Sequence, residues 1–154
     1  MSKEQFLIAM RFLAASVSVI STKDSSGKLY AMTASSVTSL TIDPPSILVC
    51  VNKEASIHDA LTQGENLCIN ILQKNQQEIS NLCSSKKLES QRFENDFWDT
   101  TYIPFVKNAQ SNIFCKVEET IAYHTHKIVI ASVDSSQSEN QFNTLMYADG
   151  GYLD

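Results

Sequence analysis

The sequence predicts a mainly β protein, an antiparallel barrel with short peripheral helices. Three observations lead there. About seven segments carry either the two-residue alternation or the short apolar run of a strand. The helical segments between them are short. Strands and helices do not alternate regularly, which argues against a doubly wound parallel sheet.

Taken in order, residues 3–14 place Phe6, Met10 and Leu13 on one helical face, with Leu7 and Ala14 beside them. A short leading helix is expected there. Ser16 to Ser21 alternates with period two and predicts a strand. Asp24-Ser25-Ser26-Gly27 is a turn, and the next strand starts near Lys28. Thr33 to Thr41 is rich in hydroxyls and runs into Asp43-Pro44-Pro45, a boundary, because proline removes a ladder donor. Ile47 to Val51 is a buried strand. Ser56 is placed to cap a helix over residues 57–63, stopped by Gly64. Leu67 to Leu72 is another strand; Asn75 to Cys83 and Lys87 to Phe93 look helical. Asp96 to Asn108 is irregular. Ile113 to Tyr123 and His126 to Val133 pair as a hairpin. Thr144 to Ala148 is the last strand, and Gly150-Gly151 breaks the chain.

The chain has 154 residues, which suits one domain over 1–154. Hydrophobic residues make up 43%, enough for a packed core and too many for a disordered chain. Twelve basic residues stand against 17 acidic ones, a net charge of −5. A nucleic-acid partner is not expected, since such binders carry a basic field. No apolar run approaches the roughly 20 residues of a membrane span. Met1 to Gln5 is polar and does not resemble a secretion signal, so a cytoplasmic location is expected. Cys50, Cys68, Cys83 and Cys115 form no close pair, which favours reduced thiols over a zinc ribbon.

Two stretches carry chemistry. Met32 to Ser39 combines hydroxyls with small side chains, which lets backbone N–H groups approach a ligand closely. The alternative is a Ser/Thr-rich strand end without a ligand. Asn52-Lys53-Glu54-Ala55-Ser56 joins a buried strand to the expected helix start. Lys53 offers a point charge there, and Ser56 with the following amides offers donors for a phosphate. The alternative is a simple capped helix. No dinucleotide or P-loop glycine motif occurs. His124 and His126 lie two apart on a predicted strand and face one way; with His58 they make a candidate three-histidine metal set. No nucleophile elbow is present. Arg92-Phe93 suits either an anion-and-ring clamp or a helix end packed on the core, and Trp98 suits packing.

The run Thr33-Ala34-Ser35-Ser36-Val37-x-Ser39-x-Thr41-x-x-Pro44-Pro45, then Leu48-Val49-Cys50-Val51-Asn52-Lys53-x-x-Ser56, resembles the flavin reductase family. More closely, it is similar to the short reductase components of two-component flavin monooxygenases of the hydroxyphenylacetate type. Phe6-x-x-Ala9-Met10, Leu67-Cys68-Ile69-Asn70-x-Leu72, Gln76, Ser80-Asn81-Leu82, Gln91-Arg92-Phe93, Thr125-His126 and Gly151-Tyr152 continue the likeness over nearly the whole chain.

The resemblance implies an FMN-binding split β-barrel, a homodimer, and hydride transfer from NADH or NADPH to FMN or FAD. Reduced flavin would then leave for a partner monooxygenase. It implies that Thr33, Ala34, Ser35 and Ser36 line the flavin ring edge and ribityl chain. Asn52, Lys53 and Ser56 would hold the phosphate end. Ser84, Arg92, Phe93 and Tyr152 would contribute to the flavin or nucleotide pocket, and His126 would stand on the nicotinamide side as the catalytic residue. Such chemistry needs no protein nucleophile, because the flavin carries it.

The chain departs from the family pattern at four places. Leu7 stands for an arginine, Cys83-Ser84 for Phe-Gly, His124 for the glycine before Thr-His, and Leu153 for a histidine. The loss of glycine from a tight turn motivates a second reading, a flavin-binding electron carrier or storage module without nicotinamide turnover. A third reading is a haem- or metal-binding split barrel using His124 and His126.

Overall fold

A computed structural model describes all 154 residues. The leading helix α1 spans Lys3–Arg11. Ser2 and Gln5 start it with a reciprocal capping box: the Gln5 N–H donates to Ser2 Oγ (3.2 Å), and the Ser2 N–H donates to Gln5 Oε1 (2.9 Å). No residue of α1 is buried, so its apolar side chains face outward. The helix is instead tied to the far end of the chain, where Arg11 Nε donates to Asp149 Oδ1 at 3.0 Å.

Seven strands form one antiparallel sheet. They are β2 (Ser18–Lys23), β3 (Leu29–Ala34), β4 (Thr38–Ile42), β5 (Pro45–Asn52), β6 (Asn66–Ile71), β9 (Ser111–Tyr123) and β10 (His126–Ser138). The intervening β7 (Trp98–Asp99) and β8 (Phe105–Val106) make a small ribbon, and β1 (Ala15–Ser16), β11 (Met146–Ala148) and β12 (Gly151–Leu153) make a three-stranded sheet. The order across the main sheet is β3-β2-β6-β9-β10-β5-β4. Its two edge strands, β3 and β4, are therefore neighbours in the chain, joined only by Ser35, Ser36 and Val37. That link spans at most about 14 Å, whereas a flat sheet of this size is about 29 Å wide. The sheet must curl until its edges approach, which makes a barrel with an open seam. Ser36 holds the seam: its Oγ donates to the Cys50 carbonyl (3.1 Å) and accepts from the Cys50 N–H (3.2 Å).

Two apolar clusters follow from the curl. Inside the barrel, Ile20, Val49, Val51, Leu67, Ile69, Val117 and Val129 pack with Ile57 and Leu61. Outside β2 and β3, Val17, Val19 and Ala31 pack against Ile79 and Cys83 of helix α2 (Gln77–Ser84), against Trp98 and Val106, and against Leu145. β2 thus lies between two cores, with Ile20 facing one and Val19 the other. This is why five of its six residues are buried although its sequence alternates.

The structure adjusts several expected elements. The helix over 57–63 is replaced by a single 3₁₀ turn, His58–Ala60, with no side-chain cap from Ser56. Ile57 and Leu61 both point into the barrel core, which leaves too short a segment for an α-helix. Thr38–Ile42 continues past the Ser/Thr run as an edge strand, and the boundary at Asp43-Pro44 is a tight turn with a cis peptide. Pro45 opens β5, a position where proline forfeits no inner ladder bond. Gly150-Gly151 does not end the structure. Asp149 and Gly150 both take positive φ (49° and 79°) in a two-residue loop, and Gly151 begins β12.

Candidate active site

Two adjoining clefts lie along edge strand β3, where α2, the last hairpin and the loop after β5 pack beside it. The upper one, about 440 Å³, is lined by Thr33, Ala34, Ser35, Ser80, Asn81, Ser84, Tyr147 and the Gly150–Tyr152 segment. The lower one, about 400 Å³, is lined by Met32, Thr33, Asn52, Glu54, Ala55, Ser56, Cys83, Ser84, Lys86, Glu89 and Arg92. Thr33 and Ser84 belong to both, so the clefts form one groove with these two side chains at its waist.

Each wall has a local cause. Thr33 and Ala34 end β3, where strand alternation turns Ala34 inward and leaves Thr33 facing α2. The Thr33 hydroxyl donates to the Ser80 carbonyl at 2.6 Å and so binds β3 to α2. Tyr152, on β12, donates its phenol to Asn81 Oδ1 at 2.7 Å and lies 2.9 Å from the Ser80 hydroxyl, which can donate in return. The chain's last hairpin is thereby clamped over the same helix. At the lower end, Asn52 closes β5, and its Oδ1 accepts the Glu54 N–H at 2.9 Å, which folds the loop carrying Ser56. That loop is anchored from behind by Lys127, whose buried ammonium donates to the His58 and Leu61 carbonyls. Burial lowers the Lys127 pKa, and the nearby Asp59 acts against that.

Arg92 is 6% exposed. Its Nε, Nη1 and Nη2 donate to the carbonyls of Leu82 (3.0 Å), Ala31 (2.7 Å) and Ser85 (3.1 Å). It lines the floor of the lower cleft while fastening α2 and the following turn to β3. Cys83 lies beside it. Burial pushes this thiol up to about 12, against the opposing pull of Arg92, so it stays protonated at neutral pH and is no nucleophile.

Among the residues singled out in the sequence, Thr33, Ala34, Ser35, Asn52, Ser56, Ser84, Arg92 and Tyr152 line the groove. Ser36 stitches the seam just behind it. Lys53 is exposed in the lower loop, its N–H donating to the Thr125 carbonyl at 2.9 Å. His126 opens β10 opposite Asn52, and its Nδ1 lies 2.9 Å from Thr125 Oγ1. Phe93 packs on Trp98, ring centroids 4.6 Å apart, in the outer core and away from the groove lining. His124 does not share a strand face with His126. It sits in the loop between β9 and β10 with φ +47°, and no three His, Cys, Asp or Glu side chains gather as a metal site.

Sequence reasoning left Ser80, Asn81, Glu54, Lys86 and Tyr147 out of the site. Ser80-Asn81 had a signal: it belongs to the family-like run after Gln76. Glu54 lay inside the Asn52 to Ser56 stretch but was given no role there, and Lys86 had no signal beyond its charge.

Residues 10–154 match the family model described as a flavin reductase like domain. The chain belongs to the flavin reductase family. An FMN reductase (NADH), RutF, of Pseudomonas syringae pv. syringae is 35% identical over 148 residues, covering 95% of this chain and 83% of that one. RutF of Pantoea ananatis is likewise 35% identical, over 97% of this chain and 80% of its own. Among solved structures, a Haemophilus somnus protein superposes with a TM-score of 0.91 at 32% identity, over 99% of both chains. The flavin reductase of styrene monooxygenase from Pseudomonas putida S12 gives a TM-score of 0.85 at 25% identity, over 96% of this chain and 95% of that one. The barrel with its open seam is thus the flavin reductase split barrel.

Proposed function

We propose that this chain is an NADH-dependent flavin reductase that takes FMN as its flavin and hands the reduced flavin to a partner monooxygenase. The observation that carries the reading is the hydroxyl-lined groove along edge strand β3, in a chain 35% identical to an FMN reductase (NADH) over nearly its whole length.

The donor set suits a flavin nucleotide. The waist and upper cleft offer the hydroxyls of Thr33, Ser35, Ser84 and Tyr152 to a polyhydroxy chain and a polar ring edge. The lower cleft offers the Asn52 amide, the Ser56 hydroxyl and the Lys86 ammonium to a phosphate, with Lys53 close by. The bound flavin supplies the hydride-accepting ring, so the chain's own task is to hold and orient the two reactants. His126 lies beside Asn52 on the neighbouring strand, and on this reading it would orient the nicotinamide. No protein nucleophile is required, consistent with a Cys83 thiol that stays protonated. The carrier reading rested on His124 in place of glycine. The hairpin closes in register with His124 in place, Tyr123 opposite His126, and the likeness to FMN reductases (NADH) supports turnover over the carrier reading.

The whole chain serves as one domain, and it works as a homodimer. The outward face of β5 and β10 supports this, because Leu48, Cys50, Ile128 and Ile130 lie together there, outside both cores, with exposed Leu40 and Ile121 at the margin. Ser36, beside the groove, bonds to the Cys50 main chain on this strand, so in such a dimer the groove would lie near the interface. Four free thiols, three of them buried, fit the reducing cytoplasm. The decisive assay is NADH oxidation in the presence of FMN: turnover is expected, and a rate equal to the protein-free blank with both NADH and NADPH would overturn the proposal.

A further inference from the structure

The lower cleft has an unusual charge balance. Four charged side chains line it, Lys86 and Arg92 against Glu54 and Glu89. Arg92 has its donors committed to three carbonyls. Lys86 is therefore the lining cation that is free to meet a ligand. Its Nζ lies 3.8 Å from Glu54 Oε2, and the two side chains are 70% and 82% exposed. They approach from separate elements, Glu54 from the loop after β5 and Lys86 from the turn after α2. An exposed pair at that separation is weak and exchanges readily with water or another anion.

We infer that Glu54 and Lys86 form a charge gate that sets selectivity for the flavin's terminal phosphate. This rests on the flavin reading above and adds a residue role to it. Lys86 attracts the phosphate. Glu54 competes for the same ammonium and repels the incoming dianion. Phosphate must displace the carboxylate to gain its ion pair, so the net attraction is smaller than a lone lysine would give. A reductase that must release its product gains from that weakening, because a flavin held by an unopposed cation would leave slowly.

The test uses dissociation constants for FMN and for riboflavin, which lacks the phosphate, measured by quenching of flavin fluorescence. The full chain, Glu54→Gln and Lys86→Gln are compared at low and high salt. Both positions are exposed, so neither variant threatens the core. Glu54→Gln is expected to bind FMN about three- to tenfold more tightly, and Lys86→Gln about tenfold more weakly, with riboflavin moved by less than about twofold in each. At about 1 M salt the differences should collapse. An FMN-to-riboflavin ratio that is the same in all three proteins at low salt, with riboflavin still bound, overturns the gate alone. Failure of the unaltered chain to bind either flavin overturns the flavin reading and the gate with it.

Discussion

Arg92 illustrates how much one side chain carries here. Its guanidinium is nearly buried and satisfies three main-chain carbonyls, on β3, on α2 and on the turn that follows. Replacing it with methionine keeps the bulk but strands those carbonyls and leaves Glu89 without its partner. The expected loss is about 2–4 kcal/mol, seen as a lower urea midpoint. If Arg92 served only to meet a ligand, the midpoint of the ligand-free protein would not move. The sequence left Arg92 open between an anion clamp and a helix end set on the core, and its three carbonyl contacts give it a fastening task. Which carbonyls it meets depends on Ala31, sixty-one positions away, and no local pattern encodes that.

Among the elements, turns decide register. The loop between β9 and β10 is two residues long, and its first residue, His124, has positive φ. Glycine is preferred at such a position because a Cβ is strained there. His124→Gly should therefore stabilise the protein by about 0.5 kcal/mol. The edge-on contact of the His124 ring with Tyr123 (4.5 Å) offsets part of the gain. Thermal denaturation checks this; a clear fall in the midpoint would show that the aromatic contact outweighs the backbone strain. The strands of the main sheet were largely legible, because their alternation reflects one buried face. The expected helix after Ser56 was not realised, since the core claims Ile57 and Leu61 four residues apart and leaves a single turn between them. The final hairpin was legible in principle from Asp149-Gly150, the dipeptide that favours a two-residue loop with both φ positive. A following Gly151 obscured it.

For the molecule as a whole, the barrel's closure creates the site. A seven-stranded sheet whose edge strands are joined by three residues curls into a barrel, and the groove runs along its edge strand β3 where α2 and the last hairpin pack beside it. One wall was legible because Thr33 to Ser36 is a compact run of hydroxyls and small residues, and Asn52 to Ser56 gathers polar and charged side chains at the end of a strand. The other wall combines α2 with the last hairpin, about seventy residues apart in the chain, brought together by the Tyr152 contacts to Ser80 and Asn81 and by the shared packing of Leu145 with Ile79 and Cys83. The apolar outer face of β5 and β10 belongs to the same scale. Sedimentation equilibrium should give twice the chain mass, and Ile130→Glu in the middle of that face should shift the protein towards monomer. A monomer in the unaltered chain would remove the dimer from this account.

The measurement that bears most directly on the central claim is the rate of NADH oxidation with FMN, run on the unaltered chain beside Ser84→Tyr. Ser84 is exposed at the end of α2 and forms the waist shared by both clefts, so a tyrosine there obstructs the groove while leaving the cores intact. The account predicts FMN-dependent oxidation by the unaltered chain and a loss of about tenfold or more in kcat/KM for FMN in the variant, at an unchanged melting temperature. Equal rates in the two proteins would place the chemistry elsewhere. No rate in either would contradict the reductase itself.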